Sequence, residues 1–366
     1  MQHIKGIDGI RAIAVLLVVM QHYVASYLFR TDSNIGSIGV TVFFVISGFL
    51  ITSILLNQKN KKDISTKENL AKFYIRRTLR IFPIYYFVII AGVITQTYWF
   101  VQVSPLWHAL YATNILMFIT NSGVGYTSHF WSLCVEEQFY LIWPMVILLT
   151  PQKNLLKAIS IAICIAPLTV ILGPIIGYQG LQVYVLPFSH FDALGMGALL
   201  AYIVCFHQNR VPSYKLASGI AQLSAIILLT SIVSQQAFAE KIAATQIYII
   251  MNISCIVLTA SVITMIISRQ NCIICLVLEF SPLRYLGKIS YGIYLYHNLV
   301  PELFIYTPFS PREPQSITSM TVYLAATLVI SAISWKFIES PIIGLKPKAE
   351  KLLLRQQKSQ QVETTT

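Results

Sequence analysis

The stretch GIRAIAVLLVVMQHYVASYLF, residues 9–29, decides the fold. It is long enough to cross a bilayer, for which an α-helix needs about 20 predominantly apolar residues. Lys5 ahead of an apolar run would also suit a secretory signal. No A-x-A cleavage site follows, however, and His22 interrupts the run, so the segment reads as a retained helix. It also carries Arg11 and His22, and an ionisable side chain inside hydrocarbon costs several kcal/mol unless it is paired or hydrated. At about 100° per residue, eleven positions make three turns plus about 20°, so both residues lie on one face, about 16 Å apart along the axis. A polar stripe down a transmembrane helix points to a water-lined or ligand-lined path. The alternatives are that Arg11 snorkels to headgroups and that His22 is a satisfied core histidine.

The same apolar pattern repeats along the chain. Of 366 residues, 56% are apolar and only 11% charged, with a mean hydropathy of +0.68. An average soluble domain carries about 25% charged residues. A soluble globular protein, a disordered chain and a disulfide-stapled module are thereby excluded. The reading is an all-α polytopic membrane protein with about ten transmembrane helices, at 9–29, 36–56, 81–100, 130–150, 155–176, 187–206, 216–236, 245–268, 286–307 and 318–338. With the N-terminus in the cytoplasm, Arg30, Lys241 and Arg312 fall outside, and the rest of the 26 Lys and Arg fall on or near the inside. This is the positive-inside asymmetry, and ten spans return the C-terminus to the cytoplasm. The net charge of +12 therefore reflects topology and contact with membrane lipids. No basic face lies in a foldable soluble domain, so nucleic acid is not read as a partner. The transmembrane domain covers 1–345. Residues 346–366 read as a cytoplasmic, disordered tail.

The remaining intramembrane polar groups cluster in a few stretches. HFWSLCVEEQFYLIWP (129–144) places Ser132, Glu136 and Tyr140 on one helical stripe, with Glu137 about 100° round. A carboxylate near a helix N-terminus is also favoured by the dipole, which suits Glu137. GSIGVTVFFVISGFLIT (36–52) supplies Gly36, Gly39, Ser47 and Gly48, small residues that admit either another helix or a ligand. The basic loop 57–80 reads as ending in an amphipathic surface helix. It holds Arg76, Arg77 and Arg80, suited to phosphate or, alternatively, to anionic lipid. His190 and Asp192 mark an outer helix entrance. Tyr291, Tyr294, Tyr296 and His297 read as an interfacial belt or the lining of a polar cavity. No metal site is read, since the C-x-x-C of Cys272 and Cys275 lacks a second pair.

Taken together, these strings resemble the acyltransferase 3 family of bacterial integral-membrane acyltransferases. The likeness runs from about residue 5 to 340. It includes GIDGIRAIAVLLVVMQHY, GVTVFFVISGFLIT, Arg77-x-x-Arg80, WSLCVEEQFYLIWP, FDALGMGALLA, LGKISYGIYLYH and FIESP, in family order. The resemblance implies a multi-pass protein of the bacterial inner membrane that moves an acyl group, usually acetyl from acetyl-CoA, to a hydroxyl of a surface or lipid-linked glycan. It implies His22 and Arg11 as the essential pair and Arg77 and Arg80, with Arg76 beside them, as coenzyme contacts. Glu136 matches the family's glutamate and is expected to orient His22, with Asp192 the alternative. Gly39, Ser47 and Gly48 match the small-residue motifs expected beside the coenzyme. No hydrolase-like domain follows the last span in this sequence, so the likeness is to stand-alone members, which favours O-antigen, capsule or another glycan over peptidoglycan. A proton-coupled transporter or flippase is the competing reading, with the intramembrane His, Glu and Arg as a relay.

Overall fold

Apolar helices dominate because backbone polar groups in hydrocarbon must be satisfied within the segment. The computed structural model describes residues 4–25, 34–61, 64–95, 103–237, 241–269, 271–311 and 316–352, and among these no strand occurs. Arg30 and Arg312, two of the basic residues expected outside, lie beyond the described residues. Nine helices among those described are long and apolar enough to cross a membrane. They are built on α1 (Ile7–Met20), which a π turn extends to span Ile7–Val24, α2 (Ile35–Lys59), α3 (Thr66–Ile94), α4 (Phe130–Leu149), α5 (Gln152–Ile175), α6 (Phe191–Phe206), which a 3-10 turn lengthens to Pro187–Phe206, α7 (Tyr214–Ala237), α8 (Lys241–Ser268) and α9 (Ile317–Ser334). Ile94, Leu149, Ile175, Leu223 and Val233 stand exposed around the outside, as expected of a surface solvated by lipid tails.

Helix α2 is the most deeply buried span and packs against α1, α3, α4, α6 and α8. Glycine makes this possible. A Cβ on Gly39 would lie 2.4 Å from the Ala14 carbonyl oxygen of α1, and one on Gly48 would lie 1.9 Å from that of Leu194 in α6. Polar bonds tie the same helices. Trp143 Nε1 donates to Thr52 Oγ1 at 2.8 Å, and Thr41 Oγ1 donates to Asn252 Oδ1 at 3.1 Å.

The expected span at 286–307 is not one helix. It breaks into Ser281–Lys288, Ser290–Tyr296 and a 3-10 turn at Val300–Phe304. The cause of the second break is Pro301, which has no N–H to give the His297 carbonyl four residues earlier. The freed carbonyl instead accepts the Tyr23 hydroxyl, which also bonds Thr327 Oγ1 at 2.8 Å. The broken segment runs alongside α1. At its start, a Cβ on Gly287 would sit 1.7 Å from the Asp8 carbonyl oxygen in the first turn of α1. At its end, the His297 ring lies 5.0 Å from that of His22, some 20 Å further along α1. Among the described residues, nine of the ten expected crossings are thus long apolar helices, and the segment expected at 286–307 is interrupted.

Two other expectations change. The basic segment before 81 is not a separate surface helix. Ser65 caps α3 by accepting the Glu68 N–H at 3.2 Å, and the helix runs unbroken through Arg76, Arg77 and Arg80 into the span. At its other end the chain continues past α9, through a π turn at Trp335–Glu339, as helix to residue 352. The first part of the expected disordered tail is therefore folded, and residues 353–366 lie outside the described ones. Between α3 and α4, short helices at Pro105–Ala109 and Thr113–Thr120 pack over the bundle. They are held by Tyr85 Oη donating to the His108 carbonyl (2.9 Å) and Gln138 Nε2 donating to that of Tyr111 (3.0 Å).

Candidate active site

Two cavities lie along α1. The smaller, about 90 Å³, is lined by Arg11, Arg77, Arg80, Ser47, Glu136, Glu137 and Tyr140. Residues from α1, α2, α3 and α4 thus converge as their expensive charges suggested. Glu136 accepts a hydrogen bond from Ser47 Oγ at 2.5 Å, and Ser47 Oγ accepts one from Tyr140 Oη at 3.0 Å. The Arg77 guanidinium lies over the Tyr140 ring, 5.5 Å from its centroid, and 5.7 Å from that of Phe73. Arg11 Nη1 approaches Asp8 Oδ1 at 3.5 Å, one turn away. Three arginines and two glutamates line this chamber, and Asp8 faces Arg11 from beside it. Its volume holds a few waters.

The larger cavity, about 1200 Å³, is lined by His22, Gln21, His129, Trp131, Tyr184, His190, Asp192, Tyr248 and Asn252, among others. His22 is exposed to it. The residue sits in a five-residue π turn, Gln21–Ala25, that continues α1 and turns the side chain out of regular helical register. Val40 and Tyr294 line both cavities. The stripe from Arg11 to His22 therefore runs past two chambers with a common wall.

The structure parts several residues that sequence reasoning put together. Glu136 lies in the small cavity, bonded to Ser47, while His22 faces the large one, so Glu136 is not its orienting carboxylate in this arrangement. Asp192 shares the cavity with His22 but is otherwise engaged. Its Oδ2 accepts from Asn252 Nδ2 at 2.9 Å and its Oδ1 from the Ala193 N–H at 2.7 Å. Arg76 points away from the small cavity, because it lies about 100° round α3 from Arg77. Its guanidinium is taken by Glu350 of the C-terminal helix, at 2.6 and 3.0 Å. Gly39 and Gly48 line neither cavity and serve the close approach of α2 to α1 and α6. Of Gly39, Ser47 and Gly48, only Ser47 lines the small chamber.

Other residues were not singled out from the sequence. Trp131 lies tilted against Tyr184 (centroids 4.7 Å) and His190 (5.1 Å), and Asn252 bridges Asp192 and Thr41. Nothing local marks Trp131, because apolar spans contain aromatic residues for packing as well. His297 was assigned to a belt or a cavity. The structure buries it completely beside His22 and His129, with ring centroids 5.0 and 4.8 Å away.

Comparison with known proteins fits this architecture. Residues 4–336 match the acyltransferase 3 profile, described as an acyltransferase domain. The chain is 31% identical to the peptidoglycan O-acetyltransferase OatA of Listeria monocytogenes, over 93% of this chain and 56% of that protein. It is 28% identical to the putative peptidoglycan O-acetyltransferase YrhL of Bacillus subtilis, over 93% and 55%. For the O-acetyltransferase OatA of Staphylococcus aureus the identity is 27%, over 93% and 57%. The chain spans a little over half the length of these relatives. No solved structure matches it. With the profile covering nearly the whole sequence, the protein belongs to the acyltransferase 3 family.

Proposed function

We propose that this protein is a multi-pass O-acyltransferase of the bacterial cytoplasmic membrane. It moves an acyl group, acetyl by preference, from acyl-CoA on the cytoplasmic side to a hydroxyl of an envelope glycan on the other. The observation that carries this reading is the common wall. The arginine-rich chamber and the chamber holding His22 meet at Val40 and Tyr294. The names of the relatives add support for O-acetyl transfer to a glycan.

The chemistry follows from charge and shape. A coenzyme carries phosphates and a long thioester arm. Arg77 and Arg80 offer planar forks suited to phosphate, and Arg11 extends the positive field along α1. The small chamber is too narrow for the arm, so Tyr294 and Val40 must swing aside to admit it. The large chamber suits a sugar. Trp131 and Tyr184 offer flat faces to ring C–H groups, and Asp192 with Asn252 offers acceptors and donors for hydroxyls. His22 takes the proton of the attacking hydroxyl as its oxygen bonds to the thioester carbon, a role worth typically 10²–10⁴-fold. The C–S bond breaks, and the proton passes to the departing sulfur, giving ester and free thiol. Glu136 balances the arginines and fixes Ser47.

The test is purified protein in vesicles with acetyl-CoA and a muropeptide or oligosaccharide acceptor. Free thiol should appear only when the acceptor is present, and His22→Ala should abolish it while the protein still inserts. Full release by His22→Ala, or none by the intact protein with any acceptor, overturns the reading.

A further inference from the structure

The imidazole of His22 needs a partner that fixes which nitrogen carries the proton, and the expected carboxylates do not supply one. We propose that His297 is the positioning residue for His22: its Nε2 accepts the hydrogen bond that orients the His22 ring and steadies the charge it acquires. The proposal rests on the reading of His22 as the base.

The tautomer of His297 is set by its surroundings. Nδ1 lies 2.6 Å from the Tyr294 carbonyl oxygen, which only accepts, so Nδ1 carries the hydrogen and donates. Nε2 is then a lone pair. It is buried and has no hydrogen-bond partner in the structure, an expensive condition for a polar atom. Two rings are near enough to satisfy it. A neutral His129 has one N–H, and a carbonyl oxygen stands at each of its nitrogens, that of Tyr126 2.9 Å from Nδ1 and that of Leu295 3.2 Å from Nε2, so its hydrogen is already taken. That leaves His22. Its ring centroid is 5.0 Å from that of His297, with the planes tilted by 52°. Once the ring radii are subtracted, a nitrogen of each ring can be brought to hydrogen-bond distance by side-chain rotation.

The backbone holds this pairing in place. Tyr23, next to His22 in the π turn, donates its hydroxyl to the His297 carbonyl that Pro301 leaves free. The same break in the helix that exposes this carbonyl therefore clamps residue 297 beside residue 22. In the resting enzyme His22 donates N–H to Nε2 of His297 and presents its other nitrogen to the acceptor hydroxyl. When His22 takes that proton, its new positive charge faces a lone pair. No proton moves to His297, just as the orienting group of a Ser-His-Asp triad stays unprotonated.

The experiment compares four variants of the full chain in vesicles. His297→Phe and His297→Met remove the lone pair, and His297→Gln restores an acceptor near its position. His22→Ala is the reference. The expected result is a fall of about 10- to 100-fold in kcat for Phe and Met, the usual cost of losing an orienting partner. KM for acyl-CoA and for the glycan should stay unchanged, and Gln should recover most of the rate. Should Phe fail to insert, Met decides. Wild-type kcat in Phe or Met overturns the assignment, as does a Gln variant no better than Met. An active His22→Ala enzyme would instead overturn the reading of His22 itself, so the two failures are told apart.

Discussion

Arg76 and Glu350 meet in a two-pronged ion pair, Nε to Oε1 at 2.6 Å and Nη2 to Oε2 at 3.0 Å, across 274 residues of sequence. The pair pins the C-terminal helix to α3 and uses up the one arginine of the cluster that faces away from the small chamber. Arg76→Ala should therefore leave the acyl-CoA concentration at half-saturation unchanged, whereas Arg77→Ala should raise it. Saturation curves for the two variants check this. The cost of Arg76→Ala in stability should be small, about 0–1 kcal/mol, since the arginine is partly exposed.

Glu136 and Ser47 form a second pair whose loss should be read in rate. Glu136→Gln keeps the shape but removes the negative charge that faces Arg11 and Arg77. It should lower kcat with little loss of folded protein. Ser47→Ala should act more mildly, because Tyr140 Oη can then swing toward Glu136. Initial rates at saturating acyl-CoA, beside thermal unfolding in detergent, separate the two effects. A loss of folding in Glu136→Gln would make the residue a structural one.

Close helix approach predicts a contrast between two glycines. A Cβ at Gly48 would meet the Leu194 carbonyl oxygen at 1.9 Å, while one at Gly219 in α7 meets nothing within 4 Å. Gly48→Ala should thus destabilise by about 1–3 kcal/mol or more, as overpacking does. Gly219→Ala should be neutral or slightly stabilising, because alanine is the better helix former. Thermal unfolding of both in one detergent is the measurement.

Acid should loosen the segment packed between α3 and α4. His108 is fully buried there, with Nδ1 2.8 Å from Thr113 Oγ1, and burial pushes its pKa down to about 4 from the ordinary 6.5. Folding favours the neutral ring. Its contribution is therefore complete above pH 6.5 and is lost as the pH falls toward about 4. Melting temperatures across this window should drop less in His108→Gln than in the intact protein.

Much of the site was legible because charge in a membrane is costly. Arg11, Arg77, Arg80 and Glu136 were each conspicuous in an apolar chain, and they do line one chamber. Ser47 was legible from its motif. What local sequence could not carry was pairing at a distance. The partner of Arg76 lies at the other end of the chain, and the neighbour of His22 comes from a segment that hydropathy reads as one continuous helix. Pro301 was visible in that segment, but its effect depends on Tyr23 being there to take the freed carbonyl. Gly39 and Gly48 were ambiguous from sequence, since a small residue invites a helix or a ligand equally, and only their neighbours decide.

The wall shared by the two chambers has an electrical consequence. In the proposed arrangement, with each chamber hydrated from its own side of the membrane, the voltage would be concentrated across the wall of Val40 and Tyr294 that the two share. A unit charge crossing there would feel up to about 2.3 kcal/mol per 100 mV. In the proposed exchange an uncharged thioester goes one way and an uncharged thiol returns, so turnover neither draws on the cell's potential nor discharges it.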